Sequence, residues 1–127
     1  MDSEPVLPPR GGPYALVRRL PNGLVLVAGQ LGLDPATRQV VPGGIAEQTQ
    51  RALRNIALIL ASEGLGLRDV VKTTVFVARP EDVAGMNEAY GGAFEPPLPV
   101  RSTVVAGIGP GILVEIEAMA FDPAAGA

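Results

Sequence analysis

One arginine and two carboxylates near the C-terminus are the residues best placed to do chemistry. Glu115 and Glu117 lie in residues 112–121, where side chains alternate between the two faces of a predicted strand. Both carboxylates fall on the same face of this apolar strand, where a charge is costly unless it has a partner. Arg101 begins a shorter apolar arm, and a glycine-rich stretch, 107–111, separates the two arms. We predict a hairpin that sets Arg101 and Glu115 on neighbouring strands, as a salt-bridged pair or as a site.

The composition excludes several kinds of chemistry. The chain has no cysteine and no histidine, which rules out disulfides, thiolate nucleophiles, Cys/His zinc sites and Ser-His-Asp triads. Catalysis would have to use carboxylates, guanidinium groups, tyrosine, hydroxyls, Lys72, the backbone or water. The formal charge of −3 and the sequence pI of about 4.9 disfavour nucleic acids and anionic membranes as partners.

The length and pattern of the chain predict one globular domain over residues 1–127. Residues 1–12 are rich in proline and glycine and are expected to form an extended lead-in. The N-terminus lacks the pattern of a signal peptide, and no apolar run approaches the ~18 residues of a membrane-spanning helix. We therefore expect a cytoplasmic protein with no membrane partner.

The elements that must position these residues follow in a simple order. Strands are predicted at 15–19, 24–28, 70–77, 102–106 and 112–121, and helices at 45–63 and from residue 80 to about 94. This order predicts an α+β fold, with a mixed sheet and both helices on one face. The other face is also apolar, and the chain has no residues left to cover it. We therefore predict a homo-oligomer whose sheets face inward.

Several segments together resemble the RidA/YjgF family of enamine/imine deaminases, also called the endoribonuclease L-PSP family. The likeness covers residues 12–121. It is carried by the following stretches: Gly12-Pro-Tyr14, Val27-Ala-Gly-Gln30, Leu33-Asp-Pro-Ala-Thr37, Glu47-Gln-Thr49 with Asn55, residues 69–77, Met86-Asn-Glu-Ala-Tyr90, Pro99-Val-Arg-Ser102 and Val114-Glu-Ile-Glu-Ala118.

The resemblance implies a chorismate-mutase-like subunit in a homotrimer, with the sites in clefts between subunits. It implies hydrolysis of 2-aminoacrylate and related 2-imino acids, released by pyridoxal-phosphate enzymes, to 2-keto acids and ammonia. The activity implied is that of a 2-iminobutanoate/2-iminopropanoate deaminase, with no cofactor and no metal. Neither histidine nor cysteine is needed for this chemistry.

The resemblance also gives roles to Arg101 and Glu115, and Glu117 is interpreted beside them. Arg101 matches the arginine that binds the substrate carboxylate, for which a guanidinium makes two parallel bonds. The alternative is a structural salt bridge from Arg101 to Glu115 or Glu117. Glu115 matches the glutamate that orients or activates the attacking water, and a nearby arginine would favour its ionised form. Glu117 is expected to be a structural partner of a neighbouring subunit.

Three further residues match the family's binding residues. Tyr14 matches a tyrosine that closes over the ligand from an adjacent subunit, although it could instead only anchor the N-terminal segment. Asn87 matches a family asparagine, but its place in the middle of a helix favours capping a loop backbone. Thr103 stands where many members have cysteine, and there the backbone N–H is the useful donor.

Two departures from the family pattern bear on specificity. Ala15 and Ala28 replace residues that usually carry hydroxyls, which favours a more apolar imino acid or a subgroup with a different substrate.

Two other functions stay open. One is binding of a small carboxylate without turnover. The other is an endoribonuclease, which the negative charge and the lack of histidine disfavour. The stretch 107–111 lacks the spacing of a nucleotide-binding loop.

Overall fold

The computed structural model describes residues 6–125. Within this range, residues 6–12 have no regular secondary structure, and residues 1–5 of the predicted lead-in lie outside the described residues. The chain then forms five strands and two α-helices, with these bounds: β1 Val17–Arg19, β2 Leu24–Leu31, α1 Ile45–Ala61, β3 Val70–Val77, α2 Val83–Gly91, β4 Val100–Val105 and β5 Val114–Phe121. Neither helix has the length and apolar content that crossing a bilayer requires.

The five strands form one mixed sheet in the order β1-β2-β5-β3-β4. Only β3 and β4 are parallel, and the other neighbours are antiparallel. Both helices pack on the same face, so the predicted α+β architecture is confirmed. The core lies between the helices and this face, and its largest buried side chains include Val25, Leu53, Ile56, Ile59, Leu60, Val75, Val77, Met86, Val114 and Ile116.

The predicted hairpin between the last two strands is wrong. β4 pairs with β3, and β3 also pairs with β5, so β3 lies between the two arms. The physical reason is the crossover: α2 connects β3 to a parallel neighbour, β4, and the chain must then pass the end of β3 to reach β5. The buried side chain of Gln48 fixes this passage, because it donates to the carbonyl of Gly111 (3.1 Å) and accepts from the N–H of Leu113 (2.9 Å).

Strand β2 is longer than its sequence pattern predicts. The glycine at position 29 suggests a break, yet pairing with β5 resumes at Gln30 after a bulge that follows Val27. The buried side chain of Asn55 supports the far end of the strand, since its Nδ2 donates to the carbonyls of Leu31 (3.2 Å) and Leu33 (2.9 Å). The bulge brings the backbone of β2 close to β5 at Gly29.

The second face of the sheet is apolar and exposed. Val100, Val104, Met119 and Phe121 are each more than 40% exposed on it, and no helix of the described residues packs there. The predicted alternation along β5 is confirmed, because Val114 and Ile116 are buried under the helices while Glu115 and Glu117 point to the open face. The predicted homo-oligomer stays a prediction.

Candidate functional site

Arg101 lies on β4, at the edge of the sheet, and helix α2 holds its side chain. Its Nη2 donates to Oδ1 of Asn87 (2.6 Å), and the guanidinium lies 4.8 Å from the centre of the Tyr90 ring. Tyr90 is itself fixed by a 2.7 Å hydrogen bond between its hydroxyl and that of Thr73. Nη1 of Arg101 also donates to the Met86 sulfur (3.9 Å), so a cation over an aromatic face, bonded through both terminal nitrogens, is oriented before any ligand arrives.

The predicted structural salt bridge of Arg101 is not formed. No carboxylate of the described residues lies within 4.0 Å of its side-chain nitrogens, and the ion pairs that do form involve Arg19 and Arg79. A cavity of about 300 Å³ lies beside the guanidinium instead. The remaining N–H groups of Arg101 can therefore bind a carboxylate from outside the chain.

Glu115 lies on the open face of β5, close to the backbone of Gly29. A Cβ added at Gly29 would stand 3.0 Å from Cδ of Glu115, which is closer than side chains normally approach. Partial burial raises the pKa of the Glu115 carboxyl, and the nearby charge of Glu117 raises it further. A carboxyl with a raised pKa accepts protons more readily once ionised, which suits a general base.

Arg101 and Glu115 do not meet within one chain. In the register of the sheet, Arg101 stands beside Thr73 and Glu115 beside Phe76, on opposite sides of β3. Thr73 faces the helices and Phe76 faces away from them, so the side chains of Arg101 and Glu115 point to opposite faces, with Cα atoms roughly 14 Å apart. The expectation that a neighbouring arginine favours ionisation of Glu115 is therefore wrong within the subunit.

Tyr14 lines a different cavity from the one beside Arg101. Its hydroxyl accepts from the N–H of Gly11 (3.1 Å), which folds the lead-in around the ring, and its side chain is 48% exposed. With Gly29 and Gln30 it lines a cavity of about 90 Å³. Gly29 borders this cavity and also closely approaches Glu115, and both roles expected for Tyr14, anchor and ligand contact, fit this position.

The other three predicted residues take different positions. Asn87 bonds the side chain of Arg101 and not a loop backbone, which corrects its predicted capping role. Thr103 is exposed two residues after Arg101, on the same side of the edge strand β4. Glu117 borders a cavity of about 140 Å³ on the open face, together with Lys72 and Thr74.

Sequence reasoning missed three residues that shape the site. The Tyr90 ring lies under the Arg101 guanidinium, a role not assigned to it from the sequence; its spacing of three residues from Asn87 indicates a shared helix face. Gly29 was read as a strand break, although it permits the close approach of Glu115. Leu98, which lines the cavity beside Arg101, had no signal in the sequence.

No candidate metal centre accompanies these residues. Within residues 6–125, no three acidic side chains come together in a way that could hold an ion. The chemistry that the arrangement supports is anchoring of a carboxylate by Arg101 and acceptance of a proton by Glu115.

The sequence of the chain is similar to a known protein family and to proteins of comparable length. The family described as Endoribonuclease L-PSP matches residues 8–122. The 2-iminobutanoate/2-iminopropanoate deaminase of Mus musculus is 41% identical over 110 residues, which is 86% of this chain and 81% of that protein.

Solved structures agree with the sequence match. The RidA structure from a Psychrobacter species superposes with a TM-score of 0.85 at 31% identity, covering 92% of this chain and 94% of that one. The YjgF structure from E. coli gives a TM-score of 0.82 at 35% identity, covering 91% and 93%. The family match over most of the chain, the identity to the mouse protein and the shared architecture show that this chain belongs to the RidA/YjgF family, the endoribonuclease L-PSP family.

Proposed function

We propose that the protein is a deaminase that hydrolyses 2-aminoacrylate and other 2-imino acids to 2-keto acids and ammonia, with no cofactor of its own. The observation that carries the proposal is the state of Arg101. Its guanidinium is oriented by Asn87 and Tyr90, has no carboxylate partner among the described residues, and borders a cavity of about 300 Å³. The name of the mouse relative supports the same reaction.

The proposed mechanism uses Arg101 for binding and Glu115 for proton transfer. Arg101 holds the substrate carboxylate through two parallel charge-assisted bonds. Water adds to C2 of the imine, and the electron pair of the C=N bond moves to nitrogen. Glu115 accepts a proton from this water and returns one to the nitrogen. Glu115 then takes the proton of the new C2 hydroxyl and passes it to the amino group; the C–N bond breaks with its electron pair going to nitrogen, ammonia leaves and the C2 carbonyl forms. 2-Aminoacrylate reacts through its imine tautomer.

The site is proposed to form between subunits of a homotrimer. Arg101 and Glu115 point to opposite faces of one sheet, so a single subunit cannot place both on one small substrate. A neighbouring subunit that packs on the apolar open face can supply the second residue and cover Val104, Met119 and Phe121. Light scattering should give three times the subunit mass of 13.1 kDa, and a monomer would exclude this arrangement.

Two other functions make different predictions. A binding protein would hold small carboxylates at Arg101 without releasing ammonia. An endoribonuclease would need groups that transfer protons to and from RNA, and the chain has no histidine and a net charge of −3. An oriented Arg101 suits any protein that binds a small carboxylate, so it disfavours the nuclease, while release of ammonia distinguishes the deaminase from the binding protein.

The test is release of ammonia from 2-imino acids that an amino-acid oxidase generates in the same vessel. The protein should accelerate ammonia release above the spontaneous rate, in proportion to its concentration. Calorimetry with the product 2-keto acids should show binding at the same site. Binding without accelerated release of ammonia would favour the carboxylate-binding alternative, and cleavage of RNA without either would favour the nuclease.

A further inference from the structure

The cavity beside Arg101 has a mostly apolar lining. Tyr90, Gly91, Phe94, Leu98 and Pro99 border it with Asn87, and among the described residues around it Arg101 carries the only charge. The Tyr90 hydroxyl bonds Thr73 and the Asn87 oxygen accepts from Arg101, so the polar groups of the lining lie at the end that holds Arg101. Tyr90 and Phe94 stack with their ring centres 4.8 Å apart, which closes one wall.

The volume of this cavity exceeds what the smallest imino acids need. At about 300 Å³ it is at the lower end of the roughly 300–1,000 Å³ typical of small-molecule pockets. A substrate with a methyl side chain, bound by its carboxylate to Arg101, would leave most of this space to water. Each methylene that moves from water into an apolar cavity is worth about fourfold in affinity. A substrate with a larger apolar side chain should therefore bind this cavity more tightly.

We propose that this cavity receives the side chain of the substrate, and that the preferred substrates are 2-imino acids with apolar side chains larger than methyl, such as the imine derived from leucine. The proposal rests on the proposed function, because Arg101 must hold the carboxylate for the side chain to reach Phe94 and Leu98. Leu98 is 65% exposed and is the residue that such a side chain would cover.

The test compares turnover of the leucine-derived imine with that of the alanine-derived imine. The ratio of their kcat/KM values should be roughly tenfold or more in favour of leucine, the size of discrimination that an apolar pocket gives. Gly91→Leu should lower this ratio about tenfold, because a Cβ added at Gly91 meets no atom within 4 Å and the new side chain occupies space at the cavity.

Gly92→Leu is the matched control. The neighbouring glycine borders a different groove, between α1 and α2, lined by Leu53 and Ala57. This variant adds the same side chain one residue away and should keep the wild-type ratio. If Gly91→Leu and Gly92→Leu change the ratio equally, the side chain does not bind in the cavity beside Arg101.

Binding of 2-keto acids separates failure of this proposal from failure of the deaminase proposal. Calorimetry should show tighter binding of 4-methyl-2-oxopentanoate than of pyruvate. Equal affinities, together with ammonia release from the alanine-derived imine, would overturn the side-chain preference and leave the deaminase standing. Tighter binding of the larger keto acid without ammonia release from any imine would keep the cavity's preference and overturn the deaminase.

Discussion

Arg101 and Glu115 point to opposite faces of the same sheet, with β3 between their strands. Each is shaped by its own surroundings: Asn87 and Tyr90 orient the arginine, and the close backbone of Gly29 partly buries the glutamate. Arg101 with its neighbours is one half-site and Glu115 with its neighbours is the other. Because they lie on opposite faces of the sheet in one subunit, they can act on one substrate molecule only when subunits assemble. This relationship connects the proposed chemistry to the proposed trimer, and it makes each half-site testable by itself.

Replacing Arg101 should reduce kcat/KM strongly without unfolding the protein. Arg101→Ala removes two charge-assisted bonds to the substrate, worth about 3 kcal/mol or about 100-fold in kcat/KM. Arg101→Lys should recover little, because an ammonium cannot make the two parallel bonds. Ammonia release and thermal melting should be measured on the same preparations. An arginine with only a structural role would give the reverse: a lower melting temperature with near wild-type turnover per folded trimer.

Asn87 should act through Arg101. Asn87→Ala removes the 2.6 Å bond that orients the guanidinium, and we expect KM to rise about tenfold, the effect of one lost charge-assisted bond. Asn87→Asp should be worse, since a carboxylate there would pair with Arg101 and compete with the substrate. Glu88→Ala, at the next exposed position of α2, is the control and should leave KM unchanged. Equal KM values for Asn87→Ala and wild type would remove Asn87 from the site.

Local patterns were enough to predict most elements but not their neighbours. The β-branched run at 70–77 and the alternation along 112–121 depend only on nearby residues, and both strands formed as predicted. Which strands lie next to each other depends on the path of the whole chain. The glycine-rich stretch 107–111 has the composition of a hairpin turn, although the strands on either side of it do not pair. The helix between 70–77 and the next strand was the better signal, because parallel strands require such a crossover.

The sequence could predict which residues belong to the candidate site, but not which residues they contact. Arg101 and Glu115 could be chosen because their charges stand out on apolar strands. The roles of Asn87 and Tyr90 could not, since both depend on where α2 packs against β4. The residues next to Asn87 and Tyr90 in the sequence do not indicate that either side chain contacts an arginine.

Gly29 should be needed for the position of Glu115 rather than for stability. Gly29→Ala adds a Cβ 3.0 Å from the carboxyl carbon of Glu115, so the carboxyl must move by several tenths of an ångström. We expect kcat to fall about tenfold, because small displacements of catalytic groups are costly. Gly107→Ala is the control, since its added Cβ meets no atom within 4 Å. An unchanged kcat in Gly29→Ala would show that Glu115 does not need its observed position.

The pH profile should respond to Glu117. The pKa of Glu115 is raised first by burial and second by the charge of Glu117, so Glu117→Gln should lower this pKa and leave the effect of burial. A general base works when ionised, and the acidic limb of the kcat/KM profile should therefore move to lower pH. Glu88→Gln should not move it. A shift of the limb to higher pH in Glu117→Gln would contradict the assignment of Glu115 as the base.

Mixed oligomers should show directly whether Arg101 and Glu115 of different subunits share a site. Arg101→Ala and Glu115→Gln should each be inactive alone. When the two variants are unfolded and refolded together in equal amounts, about one quarter of the inter-subunit sites should combine an intact arginine with an intact glutamate. Ammonia release should then return to about a quarter of the wild-type rate per site. The two variants mixed only after folding, without exchange of subunits, are the control and should stay inactive. If both residues acted within one subunit, every chain would carry a defect and the refolded mixture would also be inactive.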